Sequence, residues 1–174
     1  MQSQLPQTAN FLRQVELNRK LEGEYPLAIF ERLGETLLSN EGNVTAKLEF
    51  GHSVGFPCLK GKVSATLLVE CQRCLKPMET KVEGSFKFAL VHSEDEIDLL
   101  PDELEPLLLQ GDEQSIIDLV EDELLLSLPM VMTHNEACSG FMTEQEKAIK
   151  AEKEAAHPYA ALKALKDDLD NKAN

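Results

Sequence analysis

The chain has 174 residues, 43% of them apolar, and its 31 acidic residues outnumber its 17 basic residues, which gives a formal net charge of −14. This length and apolar fraction fit one domain with extensions. The sequence has no apolar run of about 18 residues, no signal-peptide pattern at its N-terminus and only 4 cysteines, which argues against membrane-spanning and disulfide-rich secreted classes. We therefore expect a cytoplasmic protein in a reducing compartment.

The acidic excess is concentrated in residues 88–146, which contain 16 of the 31 acids and no lysine or arginine. Affinity for nucleic acid comes mainly from basic side chains that neutralise phosphates and release counterions. A chain this acidic, without a long basic run, is predicted to bind phosphate backbone poorly on its own. Its charge favours a basic partner, steered by long-range attraction. The alternative is that the acidity only keeps the protein soluble.

After a mixed, polar stretch of 25 residues, the sequence predicts an amphipathic helix near residues 26–38. Pro26 suits the first position of a helix, and apolar side chains recur at helical spacing as far as Leu38. The turn signal Asn40-Glu-Gly-Asn43 would end this helix.

Residues 43–110 predict an antiparallel sheet, because apolar and polar residues alternate there with the period of half-buried strands. The strands are expected at residues 44–50, 63–69 and 78–90, with shorter ones at 97–100 and 106–109. Two of them flank the short segment Cys71–Pro77, so we expect an antiparallel hairpin with cysteines at its tip.

Ser115 and Asp118 match a capping box, in which a serine side chain caps the first turn of a helix. They predict a helix near residues 113–128, ended by Pro129. Beyond Gly140 the composition shifts toward Glu, Lys and Ala, which is typical of a solvated or flexible segment.

The predicted fold is therefore α+β: an antiparallel sheet packed by two or three helices, with a flexible helical C-terminal tail. We expect a single domain over residues 1–140. Residues 141–174 are expected to form a charged, partly disordered extension, with a short amphipathic helix around residues 158–165.

The C-x-x-C pair Cys71 and Cys74 is the sharpest chemical feature of the sequence. Two thiolates on a tight turn can approach one zinc ion, and His134 and Cys138 can complete a tetrahedral Cys3His set. This prediction requires the hairpin tip to meet the segment that follows the acidic helix. The remaining cysteine, Cys58, is expected to be a small buried apolar residue.

Two other interpretations of the C-x-x-C pair stay open at this point. The cysteines can be packed, inert thiols, or they can be a redox pair. Redox use normally places C-x-x-C at the start of a helix in a βαβ pattern, whereas here the motif joins two strands, so redox chemistry is disfavoured.

The sequence predicts no catalytic residue, since the common nucleophile, phosphate-loop and metalloprotease motifs are absent. The carboxylates of residues 94–123 can in principle serve a metal-assisted nuclease, although dense acids are usually a solvated face. For direct RNA contact, the candidates are the basic residues near the hairpin tip: Arg73, Lys76 and Lys81.

Three motifs, in this order and spacing, resemble the YceD family of large ribosomal RNA subunit accumulation proteins. They are Leu68–Pro77 with its C-x-x-C, the acidic and apolar segment Asp118–Pro129, and the pair His134 and Cys138. The closing segment Pro158–Leu165 resembles the end of the proteobacterial members. The resemblance spans residues 22–165.

The resemblance implies a cytoplasmic bacterial protein needed for synthesis, processing or stability of 23S ribosomal RNA. Members are often encoded beside the gene for a small basic protein of the large subunit. Many members carry further cysteines downstream of the C-x-x-C, where this chain has Cys138 preceded by His134. The resemblance carries no catalytic residue over to this chain.

From residues and resemblance together, we predict a non-enzymatic ribosome-biogenesis factor whose acidic region 88–146 engages a large-subunit ribosomal protein or a pre-50S particle. Contact with 23S RNA would be direct or indirect. The alternative is a direct RNA-binding protein that uses the hairpin Cys71–Lys87.

Overall fold

The structure is a computed structural model that describes residues 5–136, 138 and 149. Its strands are β1 (Thr8–Ala9), β2 (Lys20–Pro26), β3 (Asn43–Ser53), β4 (Phe56–Glu70), β5 (Pro77–Val91), β6 (Glu105–Leu108) and β7 (Gln114–Ser115). Five of them form one sheet in the order β2-β3-β4-β5-β6, and β1 pairs with β7 in a second, two-stranded sheet. All pairs are antiparallel except β5 with β6, which is parallel.

The helices are short apart from the last one. They are α1 (Phe11–Glu16), α2 (Glu31–Gly34), α3 (Glu94–Ile97) and α4 (Ile116–Leu126), with a single 3₁₀ turn at Leu27–Ile29. The predicted α+β class is confirmed. The predicted helical tail lies outside the described residues, as does the predicted boundary between a domain 1–140 and an extension 141–174, which stays a prediction.

The period-two pattern located the sheet correctly. The three long predicted strands are β3, β4 and β5, and the short strand expected at residues 106–109 is β6. The helix expected at residues 113–128 is α4, whose N-cap Ser115 accepts a hydrogen bond from the amide of Asp118 at 3.1 Å.

The helix predicted over residues 26–38 is wrong in length. Pro26 ends strand β2 instead of starting a helix, and the extended Phe30 (φ −93°, ψ 95°) separates the 3₁₀ turn from α2. This break buries Leu27, Phe30 and Leu33 together, with each side chain at most 1% exposed. Burial of three large apolar groups outweighs the helical propensity of the segment.

The short strand predicted at residues 97–100 is also wrong, because a helical turn, α3, ends at Ile97. The carboxylate of Glu96 accepts a hydrogen bond from the backbone amide of His92 at 2.8 Å and holds that turn. The first 25 residues, in which no element was predicted, contain β1, α1 and most of β2.

One face of the large sheet carries the main core. Phe11 on α1 packs edge-to-face on Phe50 of β3, with ring centroids 5.3 Å apart. Helix α4 packs over Gly84 of β5, where a Cβ atom would lie 2.5 Å from the side-chain oxygen of Ser127. Close approach of α4 to the sheet therefore depends on the absence of a side chain at Gly84.

Among the described residues, the opposite face of the sheet is covered only at one end. There Cys58 of β4 and Ala89 of β5 form a small second cluster with Leu104. Beyond that cluster the described side chains of this face are mostly polar and charged, since strand residues alternate between the two faces.

Candidate metal centre

The turn between β4 and β5 is held closed by its own backbone. The amide of Cys71 donates to the carbonyl of Lys76 at 3.0 Å, and the amide of Leu75 donates to the carbonyl of Cys71 at 2.8 Å. Leu75 has a φ of 57°, in the left-handed region that costs a non-glycine residue roughly 1–2 kcal/mol. This conformation closes the turn that carries both Cys71 and Cys74.

The chain that follows α4 returns to this turn. The amide of Gln72 donates to the carbonyl of Met132 at 2.8 Å, so one backbone hydrogen bond holds residue 132 beside the C-x-x-C motif. His134 follows only two residues later. A contact between residues 60 positions apart along the chain thus comes from a specific hydrogen bond that no local pattern announces.

The structure brings together the four residues predicted as metal ligands. The ligand atoms of Cys71, Cys74, His134 and Cys138 all lie within 4.8 Å of one another. Cys71 is buried, and the other three side chains are partly exposed. Among the described residues this is the one group of three or more such side chains arranged so that they can hold a metal ion.

The donor set fits zinc. Zinc binds thiolate at about 2.3 Å and imidazole nitrogen at about 2.0–2.1 Å, so neighbouring ligand atoms of a tetrahedral site are roughly 3.5–3.8 Å apart. Four atoms within 4.8 Å of one another need only small shifts to reach that geometry. Three sulfurs and one imidazole nitrogen fill all four positions, which is typical of a structural site rather than a catalytic one.

Cys58 is separate from this group, as the sequence predicted. It is 2% exposed and packs in the small cluster with Ala89 and Leu104. Burial raises the pKa of its thiol, and the neighbouring Lys87 and Lys60 oppose that rise only in part. Cys58 therefore remains a neutral packed thiol.

The basic residues proposed for RNA contact lie at or near the hairpin tip. Arg73 and Lys76 are exposed in the turn. Lys81 is exposed on β5, where its ammonium group forms an ion pair of 2.5 Å with the carboxylate of Glu83. RNA contact by these three residues stays a prediction.

Most of the acidic region forms exposed surface. Of the 14 acids in residues 88–136, 11 are exposed, and Glu121 is buried. Glu121 accepts hydrogen bonds from the amide of Leu33 and from Arg32, and Arg32 also pairs with Asp122 at 2.6 Å. These contacts tie α4 to α2.

Acids from two elements meet at this surface. The pKa of Glu123 on α4 is raised first by burial and then by the charges of Glu105 on β6 and Asp122. The repulsion shows that β6 and α4 contribute to one acidic surface. We call the exposed acids of residues 94–123 the acidic surface from here on.

Within the described residues, no helix has the length and apolar character needed to cross a membrane.

Comparison with known proteins finds the same family that the sequence motifs resemble. The sequence profile of a family described as large ribosomal RNA subunit accumulation protein YceD matches residues 59–166. The large ribosomal RNA subunit accumulation protein YceD of Haemophilus influenzae is 32% identical over 167 residues, which cover 93% of this chain and 96% of that protein. No solved structure gives a significant match. On the strength of the profile and of this relative, the chain belongs to the YceD family.

Proposed function

We propose that the protein is a non-enzymatic, cytoplasmic factor needed for the accumulation of 23S ribosomal RNA. Its acidic surface would engage a basic large-subunit ribosomal protein, alone or within a pre-50S particle. Membership of a family named for accumulation of the large ribosomal RNA subunit supports the process. The acidic surface supports the kind of partner.

The small number of ion pairs among the described acids of this region supports the proposal. Among the described residues of 88–136, only Glu121 and Asp122 pair with a cation, and both use Arg32. The other exposed carboxylates of this region form no ion pair within the part of the chain that the structure describes, and their mutual repulsion costs stability. A basic polypeptide would supply the missing counter-charges and would be attracted at long range.

Recovery of partners from cell extract tests the proposal. The full-length tagged protein should retain large-subunit ribosomal proteins at low salt, and recovery should fall steeply as salt is raised, because exposed charges are screened over roughly 10 Å at 0.1 M. The triple variant Asp98→Asn, Asp102→Asn, Glu103→Gln should recover several-fold less. A matched control removes three acids elsewhere: Glu16→Gln, Glu35→Gln, Glu41→Gln.

The result can contradict the proposal in two ways. A set of partners that does not change with salt would count against electrostatic recognition. Equal losses in the two triple variants would show that net charge, and not the acidic surface, decides the recovery.

We further propose that Cys71, Cys74, His134 and Cys138 hold a structural zinc ion. The donor set and the closed turn support this assignment. The three thiols must lose their protons to bind zinc, and the imidazole must be neutral. Cys71 and Cys74 would bind the ion from the hairpin, and His134 and Cys138, which follow Met132, would supply the other two ligands.

Direct RNA binding by the hairpin Cys71–Lys87 remains the alternative proposal. Lys81 already faces Glu83, so its charge is partly neutralised. Gel shifts with 23S fragments should weaken in Arg73→Ala and Lys76→Ala if this hairpin binds RNA. Unchanged shifts would remove the alternative.

A further inference from the structure

The face of the large sheet opposite the main core carries a group of lysines that are far apart in the sequence. Antiparallel pairing places Lys47 of β3 directly opposite Lys62 of β4, and Lys60 of β4 directly opposite Lys87 of β5. Strands lie about 4.8 Å apart, and residues two positions apart along a strand are separated by roughly 7 Å. The four lysines therefore occupy one continuous patch, which we call the lysine groove.

The groove is a real depression in this face. It has a volume of about 540 Å³ and is lined by the four lysines together with Glu49 and Ser85. The cluster of Cys58, Ala89 and Leu104 covers the sheet at one end of it.

The acids next to the groove already form ion pairs: Glu83 of β5, on one side, pairs with Lys81, and two acids lie on the β2 side. Glu49 pairs with Lys20 at 2.8 Å, and Glu22 pairs with Lys47 at 2.5 Å. Among the described residues, no carboxylate forms an ion pair with Lys60, Lys62 or Lys87. Glu49 lies directly opposite Lys60 across β3 and β4, but its ion pair is with Lys20. The β4–β5 side of the groove therefore holds three cations without ion pairs among the described residues, with one carboxylate at its edge.

Such an arrangement works against the stability of the sheet. Like charges directly opposite each other across a strand pair are destabilising. Here two such pairs adjoin in a protein with a net charge of −14 and 31 acids available to neutralise them. Lysines held together against their own repulsion indicate a surface that meets an anionic partner.

We infer that the lysine groove binds the phosphate backbone of single-stranded RNA. The spacing of roughly 7 Å between Lys60 and Lys62 is of the same order as the spacing of successive phosphates along an extended single strand. Ser85, directly opposite Lys62, and the pair Thr45 and Ser64 just beyond Lys47 and Lys62 offer hydroxyl donors to phosphate oxygens.

The groove also sets the kind of recognition. Sequence-specific binding to single strands uses aromatic side chains that stack on bases. The outward positions of this patch on β3, β4 and β5 carry lysine, serine, threonine and glutamate. Phe86 also lines the groove, but its side chain is buried in the main core and is not available to stack on bases. Binding is therefore electrostatic and independent of base sequence, with the strong salt dependence of phosphate contacts.

The choice of RNA among polyanions rests on the proposed role in ribosomal RNA accumulation. The acidic surface would hold a basic protein while the lysine groove holds the RNA nearby. A partner protein with an acidic patch is the other class of occupant, and the experiment below separates the two.

Fluorescence anisotropy with the full-length protein and a labelled oligouridylate measures the proposed contact over a series of salt concentrations. The double variant Lys60→Gln, Lys62→Gln should bind roughly tenfold more weakly at low salt, and its slope of log affinity against log salt should be smaller by roughly 1.4. The matched control Arg13→Gln, Arg19→Gln removes two exposed charges outside the groove. A third double variant, Lys76→Gln, Lys81→Gln, tests the hairpin.

Wild-type binding that is lost in the groove variant and kept in both other variants supports the inference. Absence of binding by the wild type at low salt would overturn it, and so would an equal loss in the control or a larger loss in the hairpin variant. Proteins recovered from nuclease-treated extract by the wild type but not by the groove variant would assign the groove to an acidic protein instead.

Levels of 23S RNA in cells with and without the protein, measured beside RNA binding by the purified protein, distinguish failure of this inference from failure of the proposed function. Cells that depend on the protein for 23S RNA, combined with a purified protein that does not bind RNA, would refute the groove alone. Normal 23S RNA in cells without the protein would refute the proposed function, whatever the groove binds.

Discussion

The acidic surface and the lysine groove are opposite in charge and are built in different ways. The acidic surface comes from one stretch of the sequence, since residues 94–123 lie within the range 88–146, which contains 16 acids and no lysine or arginine. The groove comes from three strands whose lysines are up to 40 positions apart and meet only through antiparallel pairing. The net charge of −14 therefore reflects the acidic surface and gives no sign of the local positive charge of the groove.

Like charges lie close together in both regions. Glu123 feels the repulsion of Glu105 and Asp122, and Lys60 lies directly opposite Lys87. Each region costs the folded protein some stability, and each would be relieved by a partner of opposite charge. Two oppositely charged surfaces on one small protein suit a factor that holds RNA and a basic protein together.

The largest expected effect comes from the metal centre, which would join the two regions. Zinc bound by Cys71 and its three partners would fasten the segment after acid-bearing α4 to the hairpin that continues the lysine-bearing strands. We expect Cys71→Ser to reduce zinc from one equivalent per chain to none and to lower the Tm by roughly 10 °C, because a ligand that binds only the folded state stabilises it. Native mass spectrometry and thermal unfolding measure the two effects.

The matched control is Cys58→Ser, which removes a buried thiol outside the ligand set. It should keep one zinc per chain, although loss of a packed sulfur will lower the Tm somewhat. Wild-type protein that is well folded and free of zinc would contradict the assignment. Zinc retained in Cys71→Ser would contradict the ligand set.

The proposed metal centre also shows which parts of a site can be predicted from the sequence. The four residues proposed as its ligands could be predicted because thiols and imidazole are rare and their chemistry is specific. The hydrogen bond from Gln72 to Met132 that joins the two pairs involves only backbone atoms, so no residue type signals it. The left-handed Leu75 was missed for a related reason, since that conformation is usually marked by glycine.

A smaller effect tests the groove without any partner. We expect Lys87→Gln to stabilise the protein by a few tenths to about 1 kcal/mol at low salt, because it removes the repulsion with Lys60 across the strand pair. Urea unfolding of the two proteins measures the difference in free energy. The gain should shrink as salt is raised, since both side chains are near solvent.

Lys20→Gln is the control for this change. Lys20 carries the same charge on the same face, but it pairs with Glu49 at 2.8 Å. Its loss should leave stability unchanged or slightly lower, as expected for an exposed ion pair. A destabilised Lys87→Gln protein would mean that Lys87 makes favourable contacts that outweigh the repulsion.

The lysine groove could not be predicted from the sequence for a physical reason. Alternation located each strand, but only β5 was predicted nearly in full, and the strand predicted over residues 63–69 is about half of β4 and leaves out Lys60 and Lys62. Register, however, decides which lysine faces which, and it depends on the two-residue turn at Val54 and Gly55, both with positive φ, and on the closed cysteine turn. The strands predicted over residues 44–50 and 63–69 leave residues 51–62 between them, which is too long a connection to fix that register.

Tertiary packing, which a local pattern does not show, also explains why the helix predicted over residues 26–38 is wrong in length. Its apolar spacing fits a helix, and yet burial of Leu27, Phe30 and Leu33 under one sheet face is better served by two separate turns. Local pattern gives the apolar residues of the core. The path of the backbone between them follows from the space that the sheet and α4 leave.

The smallest expected effect tests the cost of ionising Glu123 at the acidic surface. The pKa of Glu123 is raised above its usual value of 4.5, first by burial and then by Glu105 and Asp122. A carboxyl group with a raised pKa in the folded state binds its proton more tightly there than in the unfolded chain. Its ionisation therefore removes stability as the pH rises from about 4.5 through the raised value, and the loss persists at neutral pH.

Glu123→Gln should thus raise the Tm at neutral pH and leave it nearly unchanged well below pH 4.5, where the wild-type side chain is protonated. Thermal unfolding across this pH range measures the difference. The same change at the exposed Glu103 is the control, and its effect should vary less with pH. If the gain from Glu123→Gln were equal at all pH values, the cause would be packing of the amide, and the two charged regions would no longer be alike in carrying unrelieved repulsion.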